Sequence, residues 1–104
     1  MSDENKQVKS ETYDQIDRVI HAPARLFIMT TLYVIEGGDM VFLKKQTNLS
    51  WGNLSVQVSH LEDAGYVAVK KEFVENKPHT VVSMTPDGRI AFEEYRNHIK
   101  GILQ

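Results

Sequence analysis

Cysteine is absent from the 104 residues. That absence removes disulfides, thiolate zinc sites, thiol redox switches and cysteine nucleophiles together. Long apolar runs are also missing. None approaches the roughly 18 residues that suggest a membrane span, so no membrane partner is expected. The opening stretch, MSDENKQVKSE, mixes both charge signs and is polar throughout. It has neither the apolar heart of a signal peptide nor the pattern of a transit peptide, which makes the cytoplasm the expected address. A basic excess is lacking too: 12 Lys and Arg face 14 Asp and Glu, for a formal net charge of -2. Nucleic-acid affinity leans on cations that neutralise phosphates, so such a role requires the positive charge to be gathered on one surface. No nucleophile, base and orienting-group set is visible, and no glycine loop that cradles a phosphate. Neither an enzyme nor a cofactor is expected. Of the four histidines, His21, His60, His79 and His98, none has a histidine partner at i+4, so they are expected on the surface and no metal site is assigned.

Hydrophobic residues make up 41% of the chain and charged residues 25%, a balance that suits one globular domain. Residues 1–12 offer almost nothing to bury and are expected to form a flexible tail. The remainder, residues 13–104, is expected to be the domain. Tyr13, Ile16 and Ile20 recur at i, i+3 and i+7, which predicts a short amphipathic helix. Pro23 restarts the chain, and residues 24–35 are apolar on every side of a helix axis, which predicts burial on every side. Gly37 and Gly38 are expected to cap that helix, followed by an extended piece over residues 39–41 and a brief helix over residues 42–47. Asn48, Leu49 and Ser50 form a tight turn, with Ser50 as the cap of the next helix. Leu54, Val58 and Leu61 give that helix a buried stripe, and Gly65 follows its end.

After Gly65 the period changes. Residues 66–74 and 80–84 are rich in β-branched and aromatic side chains, and Glu75-Asn76-Lys77-Pro78 reads as the turn between them. Thr85 and Pro86 open a final helix on which Phe92, Tyr95, Ile99 and Ile102 share a stripe while Ile90 faces the other way. The fold class is mainly α with a small β-hairpin wing (α+β), a winged helix-turn-helix.

The stretch Ser50-Trp51-Gly52-Asn53-Leu54-Ser55, followed by Leu61-Glu62-Asp63-Ala64-Gly65-Tyr66-Val67, resembles the recognition helix and first wing strand of MarR-like and ArsR-like regulators. The pattern continues through Phe73, Thr80 and Met84-Thr85-Pro86-Asp87-Gly88-Arg89, as in small stand-alone winged-helix regulators of archaea and bacteria. The two motifs at this separation are more specific together than either alone. The resemblance implies a homodimeric, DNA-binding transcriptional regulator. One departure concerns the wing tip, Glu75-Asn76-Lys77-Pro78-His79, which lacks the arginine that MarR-type wings carry there.

An α-helix fits the major groove, and only side chains opposite its buried stripe reach base edges. At about 100° per residue, Asn53, Val56, Gln57 and His60 form a continuous stripe on or beside the outward arc. These four are the candidate base readers. Asn and Gln can pair bidentately with adenine, and Val56 can meet a thymine methyl. Trp51 is expected to pack. Candidate phosphate contacts are Lys44, Lys45, Ser50, Lys70, Lys71, Lys77 and His79, which flank the helix in sequence. Nearby Glu62, Asp63, Glu72 and Glu75 dilute them, and a mixed, solvated surface is the plain alternative. Surplus apolar surface nominates Tyr13, Ile16, Ile20, Phe92, Tyr95, Ile99 and Ile102 for a dimer interface. Arg25 is expected to make a structural ion pair or carbonyl contact. Two other functions fit the same pattern. One is a winged helix that binds protein instead of DNA, in keeping with the acidic charge. The other is a sensor whose small-molecule effector sits near Tyr13, Tyr33 and Tyr95.

Overall fold

A computed structural model describes residues 15–104; the expected tail over residues 1–12 and Tyr13 lie outside the described residues. The described part of the first predicted helix is a run of turns instead. The Asp17 carboxylate accepts the N–H groups of Val19 and Ile20 at 2.9 and 3.0 Å, a local bond that competes with helix formation. Ile20 is nonetheless fully buried.

Helix α1 (Pro23–Ile35) starts at its proline, as expected. It ends at Glu36, which adopts φ 67°, and not at a glycine cap. Gly37 and Gly38 belong to strand β1 (Gly37–Asp39), two residues ahead of the expected extended piece. Gly38 stands in close quarters. A Cβ at Gly38 would lie 3.0 Å from Phe42 and 3.1 Å from Ile35. Asp39 then caps helix α2 (Met40–Thr47), its carboxylate accepting the Phe42 N–H at 2.7 Å. That bond, with help from His79, holds the Asp39 carboxyl below its ordinary value of 3.8.

Asn48 takes the left-handed conformation (φ 57°) and turns the chain into helix α3 (Trp51–Asp63). Ser50 is its cap: the hydroxyl oxygen accepts the Asn53 N–H at 3.1 Å. Leu54, Val58 and Leu61 are buried, as their spacing predicts. Strands β2 (Val67–Val74) and β3 (Lys77–Met84) form the wing, and the sheet order is β1-β3-β2, antiparallel throughout. The wing turn is shorter than expected. Only Glu75 and Asn76 form it, both with positive φ (52° and 65°), the backbone of a primed hairpin turn that matches strand twist. Lys77, Pro78 and His79 are therefore strand residues. Pro78 is tolerated because β1 reaches only Val81 to Ser83, which leaves β3 one neighbour at this point.

Helix α4 (Pro86–Leu103) closes the fold, capped by Thr85, whose side-chain oxygen accepts the Gly88 N–H at 2.9 Å. The core joins Ile28, Met29 and Leu32 of α1 to Leu43, the α3 stripe, Val67, Val82, Phe92 and Tyr95. Not all of α1 is buried: Phe27 is 53% and Val34 76% exposed.

The two family-like motifs meet at the base of the wing. The Thr85 N–H donates to the Tyr66 carbonyl at 3.1 Å, and its hydroxyl donates to the Gly65 carbonyl at 2.6 Å. Gly88 packs onto the same segment, where a Cβ would stand 2.1 Å from the Tyr66 carbonyl oxygen. These residues form one joint between the wing and α4.

The Tyr66 hydroxyl donates to Asp17, tying the first turn to the wing. Burial and the adjacent carboxylate push the phenol up to about 12 from 10.0. A phenol whose folded value is raised contributes stability that is complete below its unfolded value. That contribution is lost as pH rises towards the folded one. Unfolding midpoints in urea should therefore fall between about pH 10 and 12, and the fall should be smaller in Tyr66→Phe. An equal fall in both proteins would contradict this.

Candidate nucleic-acid interface

The helix-turn-helix consists of α2, the turn at Asn48 and α3. Burial of Leu54, Val58 and Leu61 turns Asn53, Val56 and His60 outward, and all three are exposed. Val56 is 53% exposed. A β-branched residue gains little in an exposed helix position, so its presence there points to contact with something outside the fold.

Gln57 differs from its neighbours. It is half-buried, and its side-chain oxygen accepts from Arg25 Nη1 at 2.7 Å. Its Nε2 donates to Asn53 Oδ1 at 3.0 Å. Arg25 also bonds the Val19 carbonyl, so it does make the carbonyl contact expected of it. Sequence spacing gave no sign that Arg25 reaches Gln57 on α3, since the two lie 32 residues apart.

The candidate phosphate-contacting cations lie on α2 and on the wing strands. Lys45 is exposed, and Lys44 lies with Nζ 5.6 Å from the centre of the Trp51 ring. Trp51 is 50% exposed at the start of α3, so it is not the packing residue that was expected. On the wing Lys70, Lys71 and Lys77 are exposed. Lys70 has Glu72 at 3.6 Å, a solvated pair of little energetic weight. His79 is engaged elsewhere, with Nδ1 at 3.3 Å from the Asp39 carboxylate. The hydroxyl of Ser50 is occupied as the α3 cap.

Of the residues nominated for a dimer contact, Ile20, Phe92 and Tyr95 lie in the core of the chain itself, while Ile16, Ile99 and Ile102 are half-buried. Between α1 and α4 runs an open groove lined by Leu26, Tyr33, Val34, Phe92, Tyr95 and Arg96. Among the described residues no three metal-ligating side chains gather, and no helix is long and apolar enough to cross a membrane.

Proteins of similar sequence or fold are known. The chain is 33% identical over 87 residues to an uncharacterized protein of Methanocaldococcus jannaschii, covering 84% of this chain and 91% of that one. It superposes on the transcriptional regulator homologue of Pyrococcus horikoshii OT3 with a TM-score of 0.84 at 26% identity, covering 89% of this chain and 94% of the other. The transcriptional repressor BigR of Xylella fastidiosa shares the fold, with a TM-score of 0.65 at 18% identity over 96% of this chain and 95% of its own. A family described as winged helix DNA-binding domain matches residues 24–103. With the joint at Gly88, the capped α3 and the wing all inside that span, the chain belongs to the winged helix DNA-binding domain family.

Proposed function

We propose that this protein is a cytoplasmic, sequence-specific transcriptional regulator that binds duplex DNA as a homodimer. Helix α3 enters the major groove, and the wing lies along the flanking backbone. The observation that carries this reading is the outward stripe of Asn53, Val56 and His60, fixed by a buried stripe on the opposite face. Val56 offers an apolar contact to a thymine methyl, and the lysines beside the helix and on the wing offer phosphate contacts. The acidic net charge of -2 makes binding by one domain weak, and pairing two half-sites offsets this. A dimer contact is supported by apolar surface outside the core. Val34, Ile90 and Leu103 are exposed, and Ile99 and Ile102 are only half-buried.

Selection of bound sequences from random duplexes by the purified protein tests the reading. The expected result is an enriched sequence with two-fold related half-sites, and loss of that preference on Asn53→Ala with Val56→Ala. Enrichment of nothing at low salt would favour a winged helix that binds protein. A second reading, an effector-responsive regulator, is favoured by the groove beside Tyr33 and Tyr95. A small molecule held there should raise the melting temperature in a thermal-shift screen.

A further inference from the structure

The wing tip carries a large apolar side chain that the core does not use. Phe73 is 77% exposed, and Pro78, its partner across the hairpin, is exposed beside it. A phenyl ring left in water forgoes the stabilisation that its burial brings. Strand alternation fixes the side on which the ring stands. Side chains at every second position share a face, so Phe73 follows Val67, Val69 and Lys71. That face is turned to the body of the fold, because Val67 is buried, as is Val82 opposite Val69. Val69 and Thr80 line a hollow with Ser55, Val58, Ser59 and Glu62 of α3. Phe73 lies four residues farther out, roughly 13 Å along the strand. The wing thus carries the ring beyond its contact with α3, on the side of the sheet that α3 occupies. Beyond Val69 this face consists of Lys71, Phe73, Pro78 and Thr80, and its one charge is positive. Glu72 stands on the opposite face, beside Lys70.

From this placement, and resting on the DNA-binding reading above, we infer that Phe73 is an apolar wedge that the wing sets into the minor groove at a flexible base step. With α3 in the major groove, the next minor groove lies half a helical turn away, roughly 17 Å along the duplex. The reach of the outer wing is of that order. Phenylalanine is among the side chains that enter a minor groove between base pairs and partly unstack them. The steps that yield most easily are pyrimidine–purine, TA or CA/TG. Lys71, on the same face, neutralises a phosphate bordering the groove. Phe73 therefore reads the deformability of a step and not base edges, and it extends sequence preference beyond the bases under α3.

The wild-type chain, Phe73→Ala and Lys71→Ala are compared by sequence selection and by binding to the selected duplex as salt is raised. Phe73→Ala should keep the wild-type melting temperature, since the ring lies outside the core. Its affinity should fall by roughly tenfold with the salt slope unchanged, because an apolar contact releases no counterion. Lys71→Ala should instead shrink that slope by about 1. The wild type should select a pyrimidine–purine step outside each α3 half-site, and Phe73→Ala should lose that preference. Four results would overturn the inference: unchanged affinity in Phe73→Ala, a loss there that comes with a shallower slope, a slope that Lys71→Ala leaves intact, or the same flanking preference in Phe73→Ala as in the wild type. A wild-type chain that binds no duplex overturns the DNA-binding reading itself, and that result is read before either variant is compared.

Discussion

Gly88→Ala is expected to remove about 3 kcal/mol of folding stability, at the upper end of what overpacking costs. The methyl group would sit 2.1 Å from the Tyr66 carbonyl oxygen, 2.8 Å from its carbon and 3.0 Å from its Cα. All three are backbone atoms, so no side chain can swing aside. The segment cannot retreat either, because Thr85 holds the Tyr66 and Gly65 carbonyls by two hydrogen bonds. Relief requires α4 to lift from the wing base, which would draw Phe92 and Tyr95 out of the core. For a domain this size the melting temperature should fall by about 15 °C. Gly101→Ala is the contrasting substitution in the same helix. A Cβ there meets nothing within 4 Å, and replacing a helical glycine with alanine stabilises by up to about 1 kcal/mol. Equal effects of the two substitutions in a calorimetric scan would refute the steric account of Gly88.

The second large effect is expected on binding and not on folding. Lys44→Ala with Lys45→Ala should lower affinity for every duplex by roughly tenfold at low salt, with little change in the preferred sequence. The slope of log affinity against log salt should shrink by about 1 for each phosphate deprived of its lysine. Lys44 lies against Trp51 at the start of α3, the helix proposed to enter the groove, and Lys45 is exposed next to it in sequence. A change confined to one base position, with the slope intact, would show that these lysines do not contact phosphate.

Helix spacing carried most of the fold. Leu54, Val58 and Leu61 are buried where their period put them, and Ser50, Thr85 and Pro86 mark helix starts as their chemistry dictates. Elements set by local competition were less legible. The turn at Asp17 replaces a predicted helix because one carboxylate captures two N–H groups, an outcome that apolar spacing does not register. Gly37 and Gly38 look like helix caps in sequence, yet they lie in a strand, Gly37 close to Ser83 and Gly38 close to Phe42 and Ile35. The hairpin turn shrank to Glu75 and Asn76 because both accept positive φ, while Pro78 fits a strand that has one open side there.

Legibility of the interface was divided in the same way. The outward direction of Asn53, Val56 and His60 follows from helical geometry alone. The occupation of Gln57 by Arg25, and of His79 by Asp39, depends on residues brought together from 32 and 40 positions away. No periodicity encodes such pairs. Three apolar residues nominated for a subunit contact, Ile20, Phe92 and Tyr95, complete the core instead, since a stripe shows that a face is buried without saying against what.

Equilibrium binding of the purified full chain to duplex DNA, followed by fluorescence anisotropy as salt rises from about 50 to 200 mM, tests the central claim most directly. The account predicts saturable binding at the low end that weakens steeply with salt, and that is tighter for the selected sequence than for a scrambled one. Failure to bind any duplex at about 50 mM salt, where phosphate attraction is strong, would contradict it.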